Sequence, residues 1–156
     1  MMDELRELYQ EVILDHGRHP RNFGKLADAS HHAYGNNPLC GDRVTVYLKI
    51  DDNGRIGEVT FDGRGCAIST ASASMMTEIL KGRTEAEAHA LFDHFHEMCT
   101  GKEATPEPRA GEDPDAFERL QMLSGVKQFP MRVKCATLPW HTMNAAMAGS
   151  EKVSTE

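Results

Sequence analysis

Residues 44–61 carry the pattern that most limits how this chain can fold. Val44, Val46, Leu48 and Ile50 alternate with Thr45, Tyr47 and Lys49, the period-two spacing of a strand with one buried face. Asp52-Asn53-Gly54 supplies a tight-turn signal, and the chain returns through about Ile56 to Phe61, which predicts a β-hairpin. Residues around His32 to Gly35 are expected to add a third strand. So small an antiparallel sheet needs a helical layer over one face to complete a core.

The remaining apolar residues fall at helical spacing and supply that layer. Leu5, Leu8, Tyr9, Val12 and Ile13 mark an N-terminal amphipathic helix that should stop near Gly17. Ile68, Ala71, Ser72, Met75, Met76, Ile79 and Leu80 mark a second, opening at Cys66 after a glycine-rich turn. Thr84 is placed to cap a third, with Ala88, Leu91, Phe92, Phe95, Met98 and Cys99 on one face and its end before Gly101. A short helix through Phe117, Leu120 and Leu123 follows a Pro- and Gly-rich stretch from Lys102 to Pro114. The last helix runs through Met143, Ala146 and Met147, and Pro139 is expected to kink or restart it near Thr137, leaving Cys135 at a break. The expected architecture is α+β, a small antiparallel β-sheet with helices packed on one face, in a single domain over 1–149 with a loose tail at 150–156.

Charge narrows the function. A formal net charge of −7 disfavours nucleic-acid and anionic-membrane partners, which require a concentrated positive surface. The first fifteen residues carry Asp3, Glu4, Glu7, Glu11 and Asp15 in place of a basic head and apolar core, and no apolar run approaches the ~18 residues of a membrane span. A cytoplasmic protein is expected, in which four cysteines serve packing, metal binding or sulfur chemistry rather than stable disulfides.

Three of those cysteines occupy special backbone places. Cys40 and Asp42 flank Gly41 where a Pro38-initiated turn feeds an extended run, so their side chains fall on one side of the backbone and can converge on one ion. Cys66 lies at a helix N-terminus, where unsatisfied N–H groups and the helix dipole favour the thiolate. With Cys135 these make three thiols and one carboxylate, a set that suits tetrahedral zinc and can also hold an iron–sulfur cluster. Cysteines separated by 25 and 68 intervening residues are gathered only by tertiary folding, so spacing alone leaves open whether the three share a site. Cys99 belongs to an apolar stripe and is assigned to the core. His94 and His96 resemble a ligand pair, but residues two apart on a helix point to different faces, and both are assigned to the surface. The loop His16–Gly24, with two Arg and two His, offers an anion or partner contact or is simply solvated.

Three stretches resolve that choice by resemblance: Asn37-Pro38-Leu39-Cys40-Gly41-Asp42; Gly63-Arg64-Gly65-Cys66-Ala67-Ile68-Ser69 with the Ala-Ser-Ala-Ser-Met-Met that follows; and Phe129-Pro130-Met131-Arg132-Val133-Lys134-Cys135-Ala136-Thr137-Leu138. In that order they resemble the three cysteine motifs of the IscU/NifU-N/SufU family of iron–sulfur cluster assembly proteins. The SufU branch is the closer match. An IscU-type scaffold has a His before its third cysteine and a Leu-Pro-Pro-Val-Lys segment upstream, where this chain has Lys134 and Phe129-Pro130-Met131-Arg132-Val133; residues 102–120 also resemble the SufU insertion.

The resemblance implies a SufE/NifU-like α+β fold and a zinc ion held by Cys40, Asp42, Cys66 and Cys135. The implied activity is that of a zinc-dependent sulfurtransferase, which accepts persulfide sulfur from a PLP-dependent, SufS-type cysteine desulfurase and passes it to downstream iron–sulfur assembly proteins. Docking would exchange one zinc ligand for a group of the partner and free Cys40, the turn residue, as acceptor. Arg132 and Lys134 are positioned in the motif either to stabilise thiolate or persulfide or as solvated charges. The alternative role is a scaffold on which a [2Fe–2S] cluster, with iron at the same residues, is built and passed on.

Overall fold

The computed structural model describes residues 2–100, 108–109, 111–150 and 152–154. The hairpin forms as its alternation requires. Strand β2 (Asp42–Ile50) pairs antiparallel with β3 (Ile56–Arg64), setting Val46 opposite Phe61 and Leu48 opposite Val59, and β1 (His31–Asn37) pairs antiparallel with the other edge of β2. Val44, Val46, Leu48, Ile56, Val59, Phe61 and Ala33 are all buried, so one face of the sheet is continuous core. A short β4 (Lys152–Ser154) adds parallel to β1, in the stretch that the sequence suggested as a loose tail, and the strand order is β3-β2-β1-β4.

Helices α2 (Ala67–Leu80) and α5 (Pro130–Met147) lie on the core face of the sheet, with α1 (Met2–Arg18), α3 (Glu85–Thr100) and α4 (Pro114–Leu123) against them. Helix α3 opens with a capping box: Thr84 Oγ1 accepts the Glu87 N–H at 3.1 Å, and Glu87 Oε1 accepts the Thr84 N–H at 3.0 Å. Helix α4 starts from Asp113, whose carboxylate accepts the Asp115 N–H, and a 3-10 turn (Ser124–Gln128) leads from α4 towards α5. The loop after α1 is anchored rather than free: Ser74 Oγ lies 2.7 Å from His16 Nδ1 and accepts the Arg21 N–H at 2.8 Å.

Two expectations are corrected. Pro139 neither breaks nor restarts α5, which is continuous, so Cys135 sits inside its second turn and not at a break. Proline removes one intrahelical donor, and its ring crowds the carbonyls one turn back; here Ser72 of α2 donates its hydroxyl to the Ala136 carbonyl at 2.5 Å, a donor supplied by the adjoining helix. His94 is not a surface residue. It is fully buried, stacks on Phe117 with ring centres 5.6 Å apart, and its Nδ1 lies 2.8 Å from the Glu112 carboxylate, because the segment leading into α4 folds back over that face of α3.

Candidate metal centre

The centre is assembled from four elements. Asn37 ends β1 and starts the turn: its side-chain Oδ1 accepts the Leu39 N–H at 3.3 Å, and its carbonyl accepts the N–H groups of Cys40 at 3.2 Å and Gly41 at 2.8 Å. Gly41 takes a φ of 74°, a left-handed conformation that costs glycine little, and turns the chain into β2. Cys40 is thereby left exposed on the turn, while Asp42, the first residue of β2, is buried.

Cys66 is the N-cap of α2, and its sulfur accepts the Ser69 N–H at 3.4 Å, the local geometry predicted for it. Asp42 reaches that cap directly. Its Oδ1 accepts the Cys66 N–H at 2.9 Å and its Oδ2 lies 3.8 Å from the Cys66 sulfur. Gly65 makes room for this: a Cβ there would come 3.1 Å from Asp42 Oδ1 and collide with the Ser69 hydroxyl.

Cys135 completes the group from α5. Its sulfur is buried and lies 3.8 Å from that of Cys40, ninety-five residues away in sequence. Ligand atoms of Cys40, Asp42 and Cys135 all lie within 4.8 Å of one another, the one such His/Cys/Asp/Glu group among the described residues. Cys66 stands at the edge of this group, joined to it through Asp42, with its sulfur engaged in capping α2.

Electrostatics fit a cation. Burial first, then the adjacent Asp42 and Cys66, push the Cys135 thiol well above its ordinary pKa. A divalent ion placed among these groups would favour the thiolate and oppose that shift. Three sulfurs and one carboxylate are also the ligand types that zinc takes in four-coordinate sites. Arg132, exposed at the start of α5, lies beside Cys135 and then Cys66, whose negative forms hold its guanidinium more firmly protonated than usual. Lys134 takes a different place. With Asn37, Leu39, Cys40, Pro130 and Met131 it lines a shallow depression of about 130 Å³, too small for an organic cofactor.

A family model described as the NifU-like N-terminal domain matches residues 8–136. The chain belongs to this family. NifU-N relatives align over nearly its whole length: it is 40% identical over 147 residues to the zinc-dependent sulfurtransferase SufU of Bacillus subtilis, covering 94% of each chain. It is 39% identical over 149 residues to the iron–sulfur cluster assembly scaffold protein IscU of Streptococcus pyogenes, covering 96% of this chain and 88% of that one. A solved structure of a candidate iron–sulfur cluster assembly scaffold protein for the SUF system, from Fervidobacterium islandicum, superposes with a TM-score of 0.78 at 36% identity, over 91% of this chain and 98% of the other. The α+β fold is thus that of the NifU-N family, as the three cysteine motifs implied.

The family resemblance brought together Cys40, Asp42, Cys66 and Cys135, and the apolar stripe kept Cys99 apart; in the structure Cys99 is buried on α3, where burial pushes its thiol up to about 12. Neither gave a role to Asn37. The Asn-Pro pair before Cys40 is a turn signal, but the buried side chain that organises the turn is visible only in the fold.

Proposed function

We propose that this protein is a zinc-dependent acceptor of persulfide sulfur in iron–sulfur cluster assembly. The observation that carries the reading is the position of Cys40: exposed on a turn, yet with its sulfur 3.8 Å from the buried Cys135 sulfur. Zinc held by Cys40, Asp42, Cys66 and Cys135 would keep the thiols deprotonated without redox chemistry of its own. The Ser69 N–H that the Cys66 sulfur accepts does not bar ligation, because a thiolate has further lone pairs to offer an ion.

The chain's residues divide the work. Cys66 is tied to the α2 cap and Cys135 lies within α5, so Cys40 is the sulfur free to leave the group. Its thiolate attacks the outer sulfur of a cysteine persulfide on a PLP-dependent, SufS-type desulfurase. A sulfur–sulfur bond forms at Cys40, that of the partner breaks, and the partner's cysteine departs as thiolate with the electron pair, so neither protein is net oxidised. Arg132, beside Cys135 and Cys66, and Lys134, in the depression next to Cys40, supply positive charge for the thiolate and persulfide. Leu39, Phe129 and Met131, each more than half exposed at 66%, 60% and 59%, give the rim an apolar surface suited to docking the desulfurase. The name carried by the Bacillus subtilis relative supports the reading.

Transfer of labelled sulfur from a desulfurase tests it. Wild-type protein should take up label on Cys40, and Cys40→Ala should take up none; a Cys40→Ala protein that still accepts sulfur at the wild-type rate removes the assignment. The scaffold role named for the Streptococcus pyogenes relative is the second reading, and colour separates the two: a zinc protein is colourless, a [2Fe–2S] protein red-brown.

A further inference from the structure

The seam between α3 and α5 contains two imidazoles that neither the fold nor the cysteine centre uses. His96 on α3 and His141 on α5 face each other with ring centres 5.5 Å apart and planes 80° apart. Both are half-buried, and the buried Phe92 packs against each, its ring centre 6.0 Å from His96 and 5.0 Å from His141. Among the described residues no protein group hydrogen-bonds to either ring. Neighbouring polar side chains are already engaged. His89 Nδ1 lies 2.9 Å from Asn144 Oδ1 and its Nε2 3.4 Å from Asp93 Oδ2, while Glu97 pairs with Arg109.

Two facing imidazoles with no hydrogen-bond partner among the described residues have the ring spacing of ligands on a shared ion. With each nitrogen about 2.0–2.1 Å from zinc and each ring centre roughly 1.2 Å behind its nitrogen, two rings on one tetrahedral ion have centres roughly 5–5.5 Å apart. Burial first, then the neighbouring His96, lowers the pKa of His141 below its ordinary value, which leaves a lone pair on that ring available near neutral pH.

We infer that His96 and His141 form a second metal site, which takes one borderline divalent transition ion on two imidazoles with water completing the shell. Imidazole suits zinc, nickel, copper and iron, whereas magnesium and calcium want oxygen. The site is separate from the cysteine centre: His141 follows Cys135 by six residues on α5, about 9 Å along the axis and on another side of the helix. With only two protein ligands it holds its ion exchangeably.

Equilibrium dialysis against nickel tests the site, using protein saturated with zinc and freed of the excess, with both metals counted. Wild-type protein should take up one nickel per chain while keeping its zinc, and nickel should broaden the ring-proton NMR signals of His96 and His141. His96→Ala and His141→Ala should each weaken uptake at least about tenfold, His96→Gln, which keeps a polar side chain at that position, should do the same, and His89→Ala should leave uptake unchanged. No nickel uptake by wild-type protein, nickel replacing zinc one for one, or uptake surviving in the His96→Ala/His141→Ala double variant overturns the inference.

Discussion

Asp42 Oδ1 accepts the main-chain N–H of Cys66 at 2.9 Å, so the carboxylate that faces the sulfurs also ties the start of β2 to the cap of α2. One side chain thus serves both the fold and the centre. The two roles separate by substitution. Asp42→Ala leaves the Cys66 N–H without its acceptor and should lower unfolding stability by about 1–3 kcal/mol. Asp42→Asn keeps an acceptor oxygen and should recover most of that loss, while both variants bind zinc more weakly because the negative ligand is gone. Urea unfolding and chelator competition measure the two effects; an Asn variant as unstable as the Ala variant would show that Oδ1 has no capping role.

Cys99 and Cys40 should differ sharply in reactivity. Cys99 is 1% exposed, and burial pushes its thiol up to about 12, so almost none is thiolate at pH 8. Brief alkylation of the folded, metal-free protein at that pH should label Cys40 and spare Cys99, which becomes reactive only in urea; peptide mass spectrometry reads both. Cys99→Ala should accept sulfur normally and lose on the order of 1 kcal/mol of stability through lost packing.

Stability should fall in mild acid through His16. Burial first, then the nearby Arg21 charge, holds its pKa below the ordinary value of 6.5, so the folded protein keeps the ring neutral at pH values where the unfolded chain has already protonated it. The unfolded state therefore binds more protons in that window, and the contribution is complete above about pH 6.5 and lost as pH drops below it. Urea midpoints at pH 7.5 and 5.5 should differ more in wild-type protein than in His16→Gln. An identical pH dependence in the two proteins would exclude His16 as a source.

What the sequence by itself determined was set by neighbours within a few residues. The alternation of residues 44–50 and the turn at Asp52-Asn53-Gly54 specify the hairpin, because strand faces and tight turns are local geometry. Cys66 at the start of one helix and Thr84 as the cap of the next make contacts across three residues, equally legible. The four candidate ligands were legible for another reason, as parts of motifs resembling a known family. Tertiary structure decided the rest, since each remaining feature depends on a partner distant in the chain. α5 runs on through Pro139 where a proline in isolation predicts a break, and Ser72 of α2 donates to the Ala136 carbonyl in the turn before it. Glu112 reaches back to His94 and makes a core residue of a histidine that helical spacing assigned to the surface. The same dependence sets the chemistry: packing of α5 on the sheet brings Cys135 within 3.8 Å of Cys40, and that approach turns separate thiols into one site.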